Sequence, residues 1–404
     1  MKLQWKYSIV LYAAILLQFC SSCHAQTPAI VQQNAPLLTG AEVLLYDMKG
    51  GDTITRVAVV ANHTSLVTSW DDSGYTHLVD TMLTLGNKVV KIFCPEHGFR
   101  GTAAAGAKVD NSVDAKTGLP IISLYGKNKK PTIEQLKDID DVLFDLQDVG
   151  CRFYTYISTL HYVMEACAEA GIPLWVLDRP NPNGFYVDGP VLKSENQSFV
   201  GLHQVPVVYG MTIGEYAKMV NGEGWLKNGV TCDLTVIPIN KYRRNAIYEL
   251  PVRPSPNLPN WEAVYLYPTL CFFEGTNVSV GRGTEMPFQI YGHPAMRGSF
   301  TFTPKSTSGA SKPLLEGQRC RGENLVEYAQ DYAINANQLH LEWIIEAYQQ
   351  LKDKGFFKDY FRLLSGDKQL QRDIENGKSA DEIRASWKND LEAFKAIRAK
   401  YLMY

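Results

Sequence analysis

Acidic, amide and basic side chains occur directly after several apolar runs in the first half of the chain. Asn62-His63-Thr64 follows one run, and Pro95-Glu96-His97-Gly98-Phe99-Arg100-Gly101 follows the next. Two further groups lie between Asp145 and Tyr156 and between Asp178 and Pro182. A protonated carboxyl group can donate a proton to a leaving group, and an ionised one can activate water or stabilise positive charge. The pattern therefore predicts carboxylate-based chemistry at a shared site.

Glu96 is the best candidate for a general acid. It follows a predicted buried strand, and partial burial in a cleft would favour its protonated form. The alternative is a structural carboxylate paired with Arg100 or His97. Asp145 and Asp148 come next, although either could instead hold Arg152 or cap the following helix.

The segment from Pro251 to Pro294 contains seven prolines and few periodic patterns, so long ordered loops are expected there. It includes Phe273-Glu274-Gly275-Thr276-Asn277 and Gly281-Arg282-Gly283-Thr284. Glycine-rich polar loops often close over a ligand. Glu274 is therefore a second candidate carboxylate, or else an acceptor of backbone hydrogen bonds. Arg282 could bind a substrate carboxylate through its guanidinium or only brace the loop.

Predicted strands alternate with helical patterns and must position these residues. The strands are Arg56–Ala61, Val89–Cys94, Val142–Leu146, Leu174–Leu177 and Leu234–Ile239. Helices are predicted at Thr155–Ala170, after a Thr212/Glu215 capping box, near Leu341–Leu351, and from Ser379 to about Tyr401. This alternation indicates an α/β fold with a mainly parallel, doubly wound sheet, which binds ligands at the carboxyl ends of its strands.

The organisation predicted from these elements has four parts. Residues 1–25 are a signal peptide, 26–40 a linker, 41–240 a Rossmann-like catalytic domain and 241–404 a smaller α+β domain. The signal assignment rests on Lys2 and Lys6 before an apolar stretch and small residues. Cleavage either leaves Cys23 lipidated or follows Ala25, so the protein is expected to be exported, as a periplasmic protein or a membrane-anchored lipoprotein.

The composition and the absence of certain motifs argue against several classes of function for this chain. The 404 residues carry a formal net charge of −2, which disfavours nucleic-acid binding. The first strand is followed by no dinucleotide fingerprint, and the chain has no Walker loop, HExxH or GxSxG motif. No cofactor or metal site is expected. The six cysteines beyond the signal are scattered, which indicates buried thiols rather than a disulfide scaffold, with a single bridge left open.

Seven motifs in one order resemble the NamZ-like exo-β-N-acetylmuramidases, and the similarity runs from about residue 40 to the C-terminus. The motifs are Pro95–Gly101, Phe144–Gly150, Arg152–Tyr156, Leu177–Pro182, Gly210–Thr212, Pro254–Asn257, and Phe273–Asn277 with Gly281–Thr284. The sequence departs from the family's pattern at two positions, Cys151 and Thr269, and neither departure affects a candidate catalytic carboxylate.

The resemblance implies a cleft between a Rossmann-like and a smaller domain. It also implies cofactor-free removal of terminal non-reducing N-acetylmuramic acid from peptidoglycan-derived disaccharides and muropeptides. Glu96 takes the position of the catalytic glutamate. Glu274 and Asp148 are the candidates for the second group, and a retaining, an inverting and a substrate-assisted mechanism all stay open. The candidates for substrate binding are Asn62, His97, Arg100, Asp145, Arg152, Tyr154, Asn277 and Arg282.

Two other functions are considered: a non-catalytic surface lipoprotein that binds muropeptides, and a hydrolase of another N-acetylamino sugar. Muramic acid differs from N-acetylglucosamine by a lactyl ether that bears a carboxylate. An arginine is therefore expected to bind this group, and Arg100, Arg152 and Arg282 are the candidates.

Overall fold

The computed structural model describes residues 31–32, 37–48, 56–70, 74–96, 98–100, 111–329 and 337–404. The predicted signal peptide, most of the predicted linker and His97 lie outside these residues. The strands are β1 Val31–Gln32, β2 Val57–Ala61, β3 Leu66–Thr68, β4 Tyr75–His77, β5 Val89–Cys94, β6 Ser112–Val113, β7 Pro120–Ser123, β8 Asp141–Asp145, β9 Leu174–Leu177, β10 Leu234–Ile237, β11 Ala246–Ile247, β12 Ile290–His293, β13 Phe300–Phe302 and β14 Cys320–Asn324.

The helices of the described residues differ in length, from 4 to 15 residues. They are α1 Gly40–Asp47, α2 Leu78–Thr84, α3 Ile133–Leu136, α4 Tyr156–Ala170, α5 Ile213–Gly222, α6 Trp261–Leu270, α7 Leu341–Leu351, α8 Phe361–Ser365, α9 Lys368–Glu375, α10 Ala380–Ser386 and α11 Lys388–Ala399. None of the described helices is both long and apolar enough to cross a membrane.

A seven-stranded sheet with the order β10-β9-β8-β2-β5-β7-β6 forms the centre of the fold. All its neighbouring strands are parallel except β6, which runs antiparallel to β7. The parallel strands therefore have the order of a Rossmann sheet, which confirms the predicted fold class. Strand β2 is fully buried, as its run of valine and alanine predicts for a central parallel strand.

All five predicted strands are present, with ends shifted by at most two residues. The predictions missed β7, a four-residue strand that begins at a proline and is only half buried. Both capping boxes exist, at Thr212 with Glu215 and at Ser379 with Glu382. The helix predicted from Ser379 to about Tyr401 is instead two helices, since Trp387 ends α10 with a non-helical backbone.

The proline-rich segment contains a helix, α6, where the sequence indicated loops. Pro268 lies inside this helix and has no N–H to donate to the carbonyl of Val264. The side chain of Asn183 donates to that carbonyl instead, at 3.2 Å. A side chain distant in the sequence therefore replaces the helical hydrogen bond that the proline removes.

The part of the chain after residue 240, called the second part below, has its own antiparallel sheet, β12-β14-β13, and the C-terminal helices α7 to α11. One large hydrophobic cluster nevertheless includes buried residues from both parts, from Ala58 to Phe394. All six cysteines of the described residues are buried free thiols, as predicted.

Candidate active site

A cleft of about 550 Å³ opens between the carboxyl ends of the sheet strands and the second part of the chain. The first part contributes Glu96, Tyr125 and the segment Phe153–Tyr156 to its wall. The second part contributes Glu274, Arg282, the loop Gly309–Leu314 and residues near Tyr360. The structure thus brings together two of the predicted catalytic carboxylates, Glu96 and Glu274, which are far apart in sequence.

The register of the sheet places Glu96 beside Tyr125. Strands β5 and β7 are parallel neighbours in which Cys94 is paired with Ser123, and each of the two side chains lies two residues beyond that pair. The Tyr125 hydroxyl forms a hydrogen bond with the Glu96 carboxylate. Burial, and then the charge of Glu96, raise the pKa of Tyr125 well above its ordinary value. Tyr125 therefore stays protonated and donates to Glu96.

Glu274 lies on a 3-10 helix, Cys271–Gly275, which continues directly from α6. Its carboxylate forms an ion pair with Arg282 at 2.5 Å and accepts a weak hydrogen bond from the Cys271 thiol at 3.7 Å. Burial alone would lower the pKa of Arg282, but the adjacent Glu274 raises it above its ordinary value. The guanidinium carbon also lies 5.0 Å from the centre of the Phe288 ring. Glu274 is consequently held in position by a cation.

Tyr360 connects the two carboxylates electrostatically. Burial raises its pKa most, and the neighbouring Cys271, Glu274 and Glu96 raise it further, in that order. The side chain lines the same cleft and remains 40% exposed, so it can still contact a ligand. The two carboxylates therefore act on one common volume.

Aromatic rings form another wall of the cleft. Tyr154 and Tyr156 are in edge-to-face contact with their ring centres 4.7 Å apart. The Tyr154 hydroxyl donates to the carbonyl of Pro254, and Asn62 donates to the Tyr156 hydroxyl at 2.6 Å. Tyr154 thus lines the cleft, whereas Asn62 lies behind the lining and positions Tyr156.

The two predicted aspartates lie beneath the cleft and not in its lining. Asp145 is fully buried in an ion pair with Arg179 at 2.6 Å, which corrects its prediction as a substrate-binding residue. Asp148 accepts hydrogen bonds from the Tyr209 hydroxyl and from the backbone N–H of Gly150. Burial raises the pKa of Asp148 to about 6. Its buried position corrects the prediction that Asp148 contacts substrate as a catalytic group.

Two of the three predicted arginines have structural roles. Arg100 pairs with Asp114 at 2.7 Å and with Asp80, outside the cleft lining. Arg152 is fully buried and donates to four backbone carbonyls. Asn277 donates to the carbonyl of Lys354 and is also outside the lining. The prediction for Arg152 is therefore corrected, because the buried side chain cannot reach a ligand. The substrate-binding roles of Arg100 and Asn277 stay predictions, with both side chains held by contacts within the chain.

Among the lining residues that were not predicted from the sequence are Tyr125, Lys312, Lys358 and Tyr360. The short apolar run Ile121–Leu124 could have indicated the strand that places Tyr125. The other three lie in segments without a periodic pattern or a motif, so no comparable signal existed.

Two family models match the chain, the N-terminal part of the exo-beta-N-acetylmuramidase NamZ at residues 57–262 and its C-terminal part at residues 265–404. The chain is 39% identical over 389 residues to the peptidoglycan beta-N-acetylmuramidase NamZ of Bacillus subtilis (strain 168), covering 91% of each protein.

Two crystal structures of DUF1343 family proteins from Bacteroides fragilis NCTC 9343 are also similar. One is 45% identical with a TM-score of 0.81 and matches 92% of this chain and 99% of its own. The other is 28% identical with a TM-score of 0.74, over 91% of this chain and 99% of its own.

Proposed function

This chain belongs to the NamZ family of exo-β-N-acetylmuramidases, and we propose that Glu96 and Glu274 are the two catalytic groups of its glycoside hydrolysis. The enzyme removes N-acetylmuramic acid from the non-reducing end of peptidoglycan fragments. Peptidoglycan-derived disaccharides and muropeptides are the proposed substrates.

The assignment rests on one observation. Two carboxylates from distant segments line the same cleft, and their surroundings differ. Glu96 accepts from a neutral hydroxyl, that of Tyr125, and has an intermediate exposure. Glu274 is paired with the permanent cation Arg282. An ion pair uses the ionised carboxylate, which is the form that can act as a base, a nucleophile or a stabiliser of positive charge. Glu96 is therefore assigned as the proton donor.

In the proposed reaction, Glu96 donates its proton to the glycosidic oxygen as the bond from that oxygen to the anomeric carbon breaks. Positive charge develops on the sugar ring, and the ionised Glu274 stabilises it. This division of roles is common to three mechanisms: a retaining displacement, an inverting attack by water, and participation of the 2-acetamido group. The anomeric form of the first product, measured by NMR, separates inversion from the other two.

The cleft has the size and the surface of a sugar site. Its volume of about 550 Å³ lies within the usual range for small-molecule sites. Tyr154, Tyr156 and Tyr360 supply ring faces and edges on two sides, which suits the apolar faces of a pyranose. An arrangement open at the rim also leaves space for a leaving group beyond the terminal sugar.

The test compares Glu96→Gln and Glu274→Gln with Glu134→Gln, a control at a side chain that is 84% exposed on α3. Both cleft variants should lower kcat on the natural disaccharide by roughly 10²–10⁴-fold, because proton donation by Glu96 and charge stabilisation by Glu274 both act in the transition state. For Glu96→Gln the loss should be smaller on a nitrophenyl glycoside, whose leaving group needs little protonation. A folded Glu96→Gln variant with the wild-type kcat on the disaccharide would contradict the assignment.

Two functional alternatives are tested at the same time. A non-catalytic muropeptide-binding protein would protect fragments stoichiometrically and release no sugar over time. A hydrolase of another amino sugar would cleave nitrophenyl N-acetylglucosaminide as fast as the muramic acid glycoside. We expect continuous release of muramic acid and a preference for its glycoside.

We also propose that the protein is exported, as a periplasmic protein or as a lipoprotein held through Cys23. The support is the order of charged, apolar and small residues at the N-terminus. With a lipidated Cys23, the protein should fractionate with membranes, and Cys23→Ala should release it or block its processing. A soluble protein that begins at Gln26 would contradict the lipid anchor.

A further inference from the structure

Five charged side chains line the cleft: Glu96, Glu274, Arg282, Lys312 and Lys358. Arg282 is already paired with Glu274. Within the part of the chain that the structure describes, no acidic side chain forms a salt bridge with either lysine. With both glutamates ionised, the lining therefore carries one net positive charge, and with Glu96 protonated it carries two. A cleft with this balance favours an anionic ligand.

Lys358 is held next to the catalytic segment. Its backbone N–H donates to the carbonyl of Gly275 at 2.9 Å, and a bridge between Thr276 and Phe357 supports the same contact. The residue that precedes Gly275 is Glu274. The backbone of Lys358 is thus fixed beside the residue that follows Glu274, and both side chains line the cleft.

The environment of the Lys358 ammonium suits an anion. Burial lowers the pKa of Lys358, and no neighbouring carboxylate opposes the shift. A partly dehydrated cation without a counter-ion is stabilised when an anionic group binds beside it. Lys312 lies on the loop Gly309–Leu314, and within the described residues its backbone makes no such contact with the segment that contains Glu274.

We infer that Lys358 binds the carboxylate of the lactyl ether and thereby determines specificity for muramic acid. This inference rests on the proposed function and deepens it. It replaces the expected arginine, because Arg100 and Arg152 lie outside the cleft and Arg282 is engaged by Glu274. The contact places the lactyl group on the Glu274 side of the bound sugar.

The experiment uses three nitrophenyl β-glycosides: that of N-acetylmuramic acid, its neutral lactyl amide, and that of N-acetylglucosamine. kcat/KM is measured for wild type, Lys358→Met, Lys358→Arg and Lys312→Met, with Lys352→Met as a matched control at an exposed lysine of the same segment. Wild type should prefer the acid over the amide by roughly tenfold to a hundredfold. Lys358→Met should lose that preference because only the acid is cleaved more slowly. Lys358→Arg should retain most of it, and Lys352→Met all of it.

Three outcomes would overturn the inference. Equal losses on the acid and the amide in Lys358→Met would show a structural or general role. An unchanged preference would show that the carboxylate binds elsewhere. Loss of the preference in Lys312→Met but not in Lys358→Met would assign the contact to the other lysine. Failure of the catalytic assignment can be distinguished from failure of this inference. It would appear as wild-type turnover in Glu96→Gln, whatever the preference between acid and amide.

Discussion

Replacing Arg152 by methionine should destabilise the fold without removing a substrate contact. The guanidinium is fully buried and donates to four carbonyls at 2.7–2.9 Å. Two of these belong to Pro190 and Val205 in the first part of the chain, and two to Leu364 and Ser365 at the end of α8. One side chain therefore joins two loops of the first part of the chain to helix α8, which contributes Leu364 to the wall of the cleft.

The magnitude follows from these four bonds. Each buried carbonyl left without a donor costs about 1–3 kcal/mol. Removing a buried charge offsets part of this, because its dehydration no longer opposes folding. We expect a net loss of about 3–5 kcal/mol in the free energy of unfolding and, for a chain of this length, a decrease in Tm of roughly 4–6 °C. Arg152→Lys should also be destabilised, because a single ammonium cannot span four carbonyls.

Thermal unfolding of the variants measures the effect, with Arg56→Met as the control. Arg56 is 39% exposed and pairs with Asp138 at the surface, a type of contact worth about 0–1 kcal/mol. Below its melting range, Arg152→Met should bind substrate with a KM close to that of wild type. A variant with the wild-type Tm and a strongly raised KM would refute this reasoning and restore Arg152 as a substrate-binding residue.

Three further predictions concern polar side chains with hydrogen bonds inside the protein. Burial raises the pKa of Asp148 from 3.8 to about 6, so its stabilising contribution is present below about pH 4 and is lost as pH rises through 6. Through this group, the wild-type protein should lose about 3 kcal/mol of unfolding free energy between pH 4 and pH 6. Asp148→Asn cannot ionise and should not show this loss, which denaturant unfolding at the two pH values measures. Tyr125→Phe should lower kcat on the natural disaccharide by roughly tenfold with little change in Tm, since it removes the hydroxyl that holds the Glu96 carboxyl group in position. Tyr404→Phe should cost about 1–3 kcal/mol in thermal unfolding, because the hydroxyl accepts from the backbone N–H of Ile239 at 2.7 Å.

Features that depend on neighbours along the chain were predictable. The valine-rich run Val57–Ala61 forms a buried parallel strand, and the capping boxes at Thr212 and Ser379 begin helices as expected. A capping box joins residues three positions apart, so its two partners are visible in the sequence. The position of Glu96 after a strand also follows from local pattern, and so does its placement at the carboxyl edge of the sheet.

The partners of these residues were not predictable in the same way. Asp145 and Asp148 have the residue type of a catalytic group, yet one neutralises Arg179 and the other accepts from Tyr209. Arg152 could equally have bound a ligand, because a guanidinium donates to a carboxylate and to a carbonyl alike. Burial and long-range hydrogen bonds decide between these uses, and neither is encoded in the residue type.

The sequence by itself determined the alternation of strands and helices, the caps and the carboxyl edge at which Glu96 lies, because these depend on side chains a few positions apart. Only the tertiary structure decided what meets Glu96. The pairing of Cys94 with Ser123 brings Tyr125 to it, and the folding of the second part over the sheet brings Glu274 to the same cleft. Such contacts depend on strand order, register and chain reversal, which involve residues that are distant in the sequence and adjacent only once the core has formed.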